Sequence, residues 1–510
     1  MQASATTSTS TSRAERDGRR TIMIWEGRND RLYIGGEWVK PDSTHFVDLV
    51  SPLTEETMAS VISASKVDAD AAVAAARRAF DHGPWPRMSL HQRMEVMARL
   101  RELLIEHESL IAHLVTEEMG CPISISRWMQ AGGPISMLGM FLEVAPHYPF
   151  SQIRRTVTGN GLVLREPLGV VAAVVPWNAP LQIAVLKLAP ALLAGNTAIL
   201  KPAPETPLDA CLLAELAEKA GLPKGVLNVL PADREVSEYL CLHPAVDKVS
   251  FTGSSAAGQR LGALCGNDIK RITLELGGKS PAIVLDDADI GKAVESLRMG
   301  SLRNSGQVCS NKTRLLVSKH RKDELIDAFV EMVRSMPVGD PFDPLTQIGP
   351  LVSARQRDRV EGYIAKGKQE ARLVLGGGRP KGLTRGWFVE PTIFADVDPD
   401  AVIAQEEIFG PVISILSFDT DDDAVAIANN SAYGLHGAVF SADTERAVNV
   451  ARRVRTGAID INGASAGYHS PLGGRKKSGI GREAGIEGFD GYVEIKSIGI
   501  PVSYAEQLSS

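Results

Sequence analysis

Apolar and polar positions change their spacing along this chain, and the changes divide it. From Asp68 onward the spacing is helical. The best-marked early helix starts at Ser89, where Gln92 completes a capping box. Met94, Met97, Leu100, Leu104, Ile111 and Leu114 then recur at helical intervals until Gly120 and Pro122 end the run. Beyond residue 168 short apolar runs take over. Residues 168–175, 197–200, 226–230, 248–251 and 272–276 read as strands, and 181–193 as a helix between the first two. Thr206-Pro207 reads as an N-cap with proline at the first helical position, and Gly221 as the matching C-terminal glycine.

Strands at 314–317, 412–417, 438–440 and 458–461, with helices near 321–335, 353–368 and 443–455, repeat the theme. Alternating apolar strands and helices predict parallel sheets covered on both faces. The expected fold is therefore α/β, with two doubly wound units. Outside both, 153–158 and 162–165 read as a hairpin around Gly159-Asn160-Gly161, and 492–500 as a further strand. These form an expected arm at 146–165 and 487–510. The first unit covers 21–145 and 166–274, the second 275–486, and the Ser/Thr-rich stretch 1–20 reads as a disordered tail.

Composition narrows the class. The 510 residues allow about three domains. A net charge of −6 gives no polyanion-binding surface, so nucleic acid is not an expected partner. The most apolar stretch, 181–194, is interrupted by Gln182, Lys187 and Pro190, which argues against a membrane span. The five cysteines form no Cys-x-x-Cys pair, so neither a disulfide framework nor a zinc site is expected, and a reducing, cytoplasmic setting fits.

One cysteine differs from the rest. Cys309 follows the polar, glycine-bearing run Asn304-Ser305-Gly306-Gln307-Val308, whereas Cys121, Cys211, Cys241 and Cys265 read as core or surface thiols. Glu275 ends an apolar strand before Gly277-Gly278. It is either an outward-facing strand residue or a carboxylate whose pKa burial raises for general-base work. Asn178, in Pro176-Trp177-Asn178, follows a strand where α/β sheets place their sites. It is either a turn residue or an oxyanion donor. Gly253-Ser254 joins a strand to a helix start that suits a phosphate, and the lack of a following Lys-Ser/Thr excludes a P-loop. Lys201 ends another strand and reads equally as a solvated lysine.

Taken together these segments resemble the aldehyde dehydrogenase superfamily, from about residue 33 to 500. The motifs are Pro176-Trp177-Asn178, Lys201-Pro202, Phe251-Thr252-Gly253-Ser254, Glu275-Leu276-Gly277-Gly278-Lys279, Gly306-Gln307-Val308-Cys309, Glu406-Glu407-Ile408-Phe409-Gly410-Pro411 and Gly473-Gly474-Arg475-Lys476-Lys477-Ser478-Gly479. The resemblance implies a Rossmann-like nicotinamide-binding domain, a catalytic domain and an oligomerisation arm in a homodimer or homotetramer. It implies NAD as cofactor, with NADP possible, an aldehyde as substrate and water as second substrate. Cys309 would be the nucleophile, Glu275 the base, Asn178 the oxyanion donor, and Lys187 with Glu483 a proton relay. Pro176, Trp177, Lys201, Gly253, Ser254, Gly277, Glu407 and Phe409 would hold the cofactor.

Two positions depart from the pattern. The acid usual three places after the lysine is Pro204 here, with Glu205 one place later, which loosens discrimination between NAD and NADP. No arginine is expected near to pair a 2′-phosphate, which favours NAD. Leu472 replaces a common aromatic residue. By resemblance Ala179, Gln182, Ile183, Leu186, Arg303, Val308, Ser310 and Leu472 line the substrate entrance; no pair of cations stands there to clamp a carboxylate, unless Arg303 points inward, and an uncharged aliphatic or aromatic aldehyde is expected. The alternatives are a CoA-acylating or reductive relative, which Glu275 argues against, and a non-catalytic homologue.

Overall fold

A computed structural model describes residues 28–508, and the expected tail at 1–20 lies outside them. Two large sheets form the frame. The first runs Gly479–Ile480, Arg271–Glu275, Lys248–Thr252, Val170–Val174, Thr197–Lys201, Leu227–Val229, Leu32–Ile34, Glu37–Val39. Its five inner strands are parallel, while Gly479–Ile480 and the Leu32–Ile34/Glu37–Val39 pair close the edges antiparallel. Val170–Val174 and Thr197–Lys201 are buried along their whole length, as central strands covered on both faces must be. The second sheet runs Arg372–Leu375, Thr392–Ala395, Val412–Phe418, Lys312–Ser318, Ser280–Val284, Ala438–Phe440, Asp460–Ile461. All its pairings are parallel except the first.

Each sheet has an apolar cluster on either side. On the first, Leu181–Leu193 and Leu208–Ala217 contribute to one cluster, and residues 69–76 and 230–265 to the other. On the second, Phe329 and Leu315 lie on one side, with Val360, Phe394 and Leu416 on the other. These layers explain why the strands read as unbroken apolar runs rather than alternating ones.

Several local expectations are corrected. The run from Ser89 forms two helices, Leu90–Glu106 and Glu108–Met119, parted at His107. Apolar periodicity survives the break, so sequence spacing did not reveal it. The capping box at Ser89 and the left-handed Gly120 cap are present. Pro207, not Thr206, occupies the N-cap of Leu208–Lys219. The free N–H of Leu208 is instead taken by the distant, buried Glu118 carboxylate at 3.1 Å. In the arm, Ser151–Thr156 pairs with Gly159–Pro167 so that Thr156 faces Gly159. The turn is therefore Val157-Thr158 rather than Gly159-Asn160-Gly161. The strand Val493–Ile500 adds to the same three-stranded sheet along Gly159–Pro167, within its own chain. No helix among the described residues is long and apolar enough to cross a membrane.

Candidate active site

Four neighbouring strands of the first sheet end where chemistry-bearing residues begin. Glu275 and Lys201 are the last residues of Arg271–Glu275 and Thr197–Lys201. Gly253 and Ser254 follow Lys248–Thr252, and Pro176, Trp177 and Asn178 follow Val170–Val174. These are carboxyl ends of parallel strands, the side of an open α/β sheet where sites form. The second sheet adds Cys309 from the loop before Lys312–Ser318, and Glu407 and Phe409 from the loop before Val412–Phe418.

Cys309 is partly exposed, whereas Cys121, Cys211, Cys241 and Cys265 are buried. Its approach is an unusual backbone. Asn304, Ser305 and Gly306 are all left-handed, with φ of 53°, 55° and 79°. Side chains hold the strain in place. Ser305 Oγ donates to Gly349 O at 2.9 Å, and Asn304 Nδ2 to Asn178 O at 3.2 Å. Gly306 is required, since a Cβ there would lie 2.1 Å from Gly410 O. Burial, then the Glu407 and Glu275 charges, push the Cys309 thiol up to about 12.

Asn178 is buried, and Nδ2 donates to Gln307 O at 3.0 Å. An amide carries two such hydrogens, so one remains for a ligand. Gln130 Nε2 donates to Asn178 O at 3.0 Å, which fixes the loop from behind. Gln130 sits in the π-helical turn Ser126–Ala131. Gln130 did not stand out in the sequence, because a lone amide carries no pattern, and Gln307 appeared there only as part of the run before Cys309.

The solvated reading of Glu275 is overturned, since it is 6% exposed. Burial, then Glu483, raises its carboxyl to about 8. Lys187 and Glu483 meet at 2.7 Å, both almost fully buried. Ser250 Oγ accepts from Lys187 Nζ at 3.2 Å and donates to Glu483 at 3.1 Å, and Tyr492 OH donates to Ser250 at 3.0 Å. Glu275 Oε1 and Glu483 Oε2 are buried without partners in the structure, so each keeps an acceptor uncommitted.

The cofactor candidates form a second corner. Lys201 is 7% exposed rather than solvated, and burial lowers its pKa to about 8. Glu407 Oε1 accepts from Gly278 N at 2.8 Å, and a Cβ on Gly277 would lie 2.3 Å from the Glu407 carboxylate. Trp177 and Phe409 meet edge to face at 5.4 Å. Ser254 caps the helix Ser255–Asn267 through Ala257 N at 3.3 Å. The expectation that no arginine lies near is corrected. Arg355, 150 residues away, donates to Glu205 at 2.9 Å.

At the mouth, Ala179 and Val308 pack in a small apolar cluster with Cys121, against which Ile183 and Trp177 lie. Leu186 is buried in the main core, with Leu472 packed against that core. Gln182 Nε2 donates to Tyr468 OH at 3.1 Å, and Arg303 lies over Trp128 and reaches Ser310. Trp128 and Tyr468 went unnoticed in the sequence.

Residues 38–498 match the model of the aldehyde dehydrogenase family. The chain belongs to the aldehyde dehydrogenase family. It is 43% identical over 471 residues to geranial dehydrogenase of Castellaniella defragrans, covering 92% of this chain and 98% of that protein. The Mycobacterium tuberculosis aldehyde dehydrogenase complexed with NAD+ superposes with a TM-score of 0.91 at 47% identity, over 93% of this chain and 99% of that one. A Pseudomonas syringae family member complexed with NAD+ and octanal gives a TM-score of 0.90 at 40% identity, over 92% and 97%.

Proposed function

We propose that this protein oxidises an aldehyde to a carboxylic acid, with NAD as hydride acceptor, through a thioester on Cys309. The observation that carries this is that Cys309 is partly exposed, that Asn178 bonds Gln307 two residues before it with an N–H to spare, and that the Glu275 carboxylate, with an acceptor uncommitted, acts on the thiol through space. Glu275 takes the Cys309 thiol proton as Sγ attacks the carbonyl carbon, which gives a thiohemiacetal oxyanion, and passes that proton on before it acts on water. Asn178 Nδ2 and the Cys309 backbone N–H would donate to the oxyanion, each such donor contributing ~3 kcal/mol. A thioester remains once the hydride has left the carbon.

Glu275 then takes a proton from water as it attacks the thioester. Its raised pKa suits this, because a carboxyl near neutrality is basic enough to accept a proton yet able to release it. The released proton passes by way of Glu483 and Lys187, whose hydrogen-bonded pair lies beside Glu275. A CoA-acylating enzyme needs no such base, so Glu275 favours hydrolysis.

The second corner of the site would take a dinucleotide. Lys201 would hold the adenosine ribose, Ser254 and Gly253 a phosphate at the helix start, and Glu407 the nicotinamide ribose. Pro176, Trp177, Gly277 and Phe409 would wall the ring. Bound NAD supplies the electrophilic carbon that receives the hydride. Residues 21–145 and 166–274 would form the cofactor domain and 275–486 the catalytic one, and the arm at 146–165 and 487–510 would join subunits in a homodimer or homotetramer; of these spans, 21–27 and 509–510 lie outside the described residues.

Replacing Cys309 by Ala should abolish NADH formation from aldehydes while NAD still binds, measured by fluorescence titration. Substantial turnover in that variant rejects the thioester reading. At the ribose, Pro204 offers no acceptor and Glu205 is engaged by Arg355. NAD should therefore be preferred over NADP by less than about a hundredfold in kcat/KM, since one missing hydrogen bond is worth roughly tenfold. Pro204→Glu should widen that ratio by about tenfold; an unchanged ratio rejects the assignment.

A further inference from the structure

The thioester chemistry leaves one cation beside Cys309 without a task. Arg303 opens the short turn Arg303–Gly306, six residues before the thiol. Its guanidinium carbon lies 5.7 Å from the centre of the Trp128 ring. Nη2 reaches Ser310 Oγ at a long 3.4 Å, and the buried Nε has no partner in the structure. The carboxylate that acts on Arg303 through space, Asp460, is already bonded to Lys312 at 2.8 Å and faces His436 at 3.7 Å. The other groups acting on it are the Cys309 and Cys121 thiols and the Tyr468 phenol. Other arginines of this chain show what satisfaction looks like. Arg314, which is buried, donates to four backbone carbonyls.

A half-buried guanidinium whose Nε is sealed without a partner and whose outer nitrogens make only one long contact is costly unless a ligand completes it. Trp128 covers one face by cation–π contact, which leaves the edge of the fork for a planar, two-oxygen acceptor. Because Nη2 touches the residue next to Cys309, whose Cα is ~3.8 Å away, the acceptor and the reacting carbon must be joined by a short chain. We propose that the aldehyde this protein oxidises carries a carboxylate at its other end, and that Arg303, backed by Trp128, binds it. This replaces the uncharged aldehyde expected from sequence and rests on the thioester reading given above.

The test compares two aldehydes of matched length, about four to six carbons, one ending in a carboxylate and one in a methyl group. With NAD, the natural enzyme should favour the acid in kcat/KM by roughly a hundredfold, as a charged two-point contact allows. Arg303→Met should erase that preference through KM for the acid, with less than about a threefold change for the methyl-ended aldehyde. Arg303→Lys should recover only part, because an ammonium cannot make the forked contact. Unchanged melting and NAD binding in the variants separate this from misfolding. Calorimetry should show the matching dicarboxylate binding to the natural protein and not to Arg303→Met. A natural enzyme that prefers the methyl-ended aldehyde, or a variant that loses both substrates equally, overturns the proposal. If neither aldehyde is oxidised, the thioester reading has failed instead, and the dicarboxylate titration alone decides the role of Arg303.

Discussion

The two sheets face the cleft with opposite ends of their strands. The first presents carboxyl ends, where Glu275, Ser254, Asn178 and Lys201 stand in a row set by parallel pairing. The second presents amino ends, preceded by Gly277-Gly278, Cys309 and Glu407-Phe409. The chain crosses between them in the four residues 276–279 that separate Glu275 from Ser280. Position on the first side is supplied by ladder hydrogen bonds, which need only apolar strands. On the second it depends on irregular backbone, with left-handed Asn304, Ser305 and Phe409 held by particular side-chain and backbone contacts. The two sides therefore divide the work. On the proposed mechanism the first would manage charge and protons, and the second would hold the nucleophile.

That division is breakable. Glu275→Gln should slow the attack and, more strongly, the hydrolysis that follows it. It should leave a burst of NADH from one turnover, slow the steady state by about a thousandfold, and allow an acyl-Cys309 adduct to be seen by mass spectrometry. In the natural enzyme, burial holds Glu275 protonated up to about 8, so thioester hydrolysis should rise with pH through that value and then level off. The variant should lose this limb; a variant with no burst and an unaltered pH profile contradicts the division.

A smaller effect is expected of Asn178→Ala, at ~3 kcal/mol or about a hundredfold in kcat/KM. Alkylation of Cys309 by iodoacetamide should stay within about twofold, because the amide serves the oxyanion and not the thiol. A matching fall in alkylation would place Asn178 with the nucleophile instead. On the second side, Gly306→Ala forces a Cβ against Gly410 O and should displace the thiol loop. It should lower activity by tens-fold, with a melting temperature depressed by a few degrees and slowed alkylation. Normal alkylation would show that the loop tolerates the change.

Legibility followed the same divide. The five inner strands of the first sheet were readable within a residue or two, because burial on both faces leaves continuous apolar runs between glycine and proline breaks, whereas its edge strands Leu32–Ile34, Glu37–Val39 and Gly479–Ile480 went unread. Of the second sheet, Ser280–Val284, Thr392–Ala395 and Arg372–Leu375 went unread. Ser280–Val284 contains a proline, a bulge lies at Ser280/Pro281, and Arg372–Leu375 is an edge strand half open to solvent. The site was legible as a set of motifs, since Cys309, Glu275 and Asn178 each sit in a distinctive local setting. Its supports were not, because Gln130, Ser250, Tyr492 and Trp128 are ordinary residues that matter only through their neighbours.

Local residue choice alone determined the α/β class, most strand and helix positions, the capping at Ser89 and Gly120, and which thiol differs from the others. These depend on periodicity and backbone preference within a few residues, and tertiary contacts did not reverse them. Pairings between distant segments were decided by folding. Lys187 meets Glu483 across 296 residues, Glu118 supplies the cap missing at Leu208, Arg355 takes the Glu205 carboxylate, and Arg303 settles on Trp128. No spacing encodes such contacts, because a charged side chain looks the same in sequence whether water or a buried partner satisfies it. Burial is what separates the cases. It raises Glu275, lowers Lys201 and leaves Arg303 with donors unspent, and burial belongs to the packed chain rather than to any one segment.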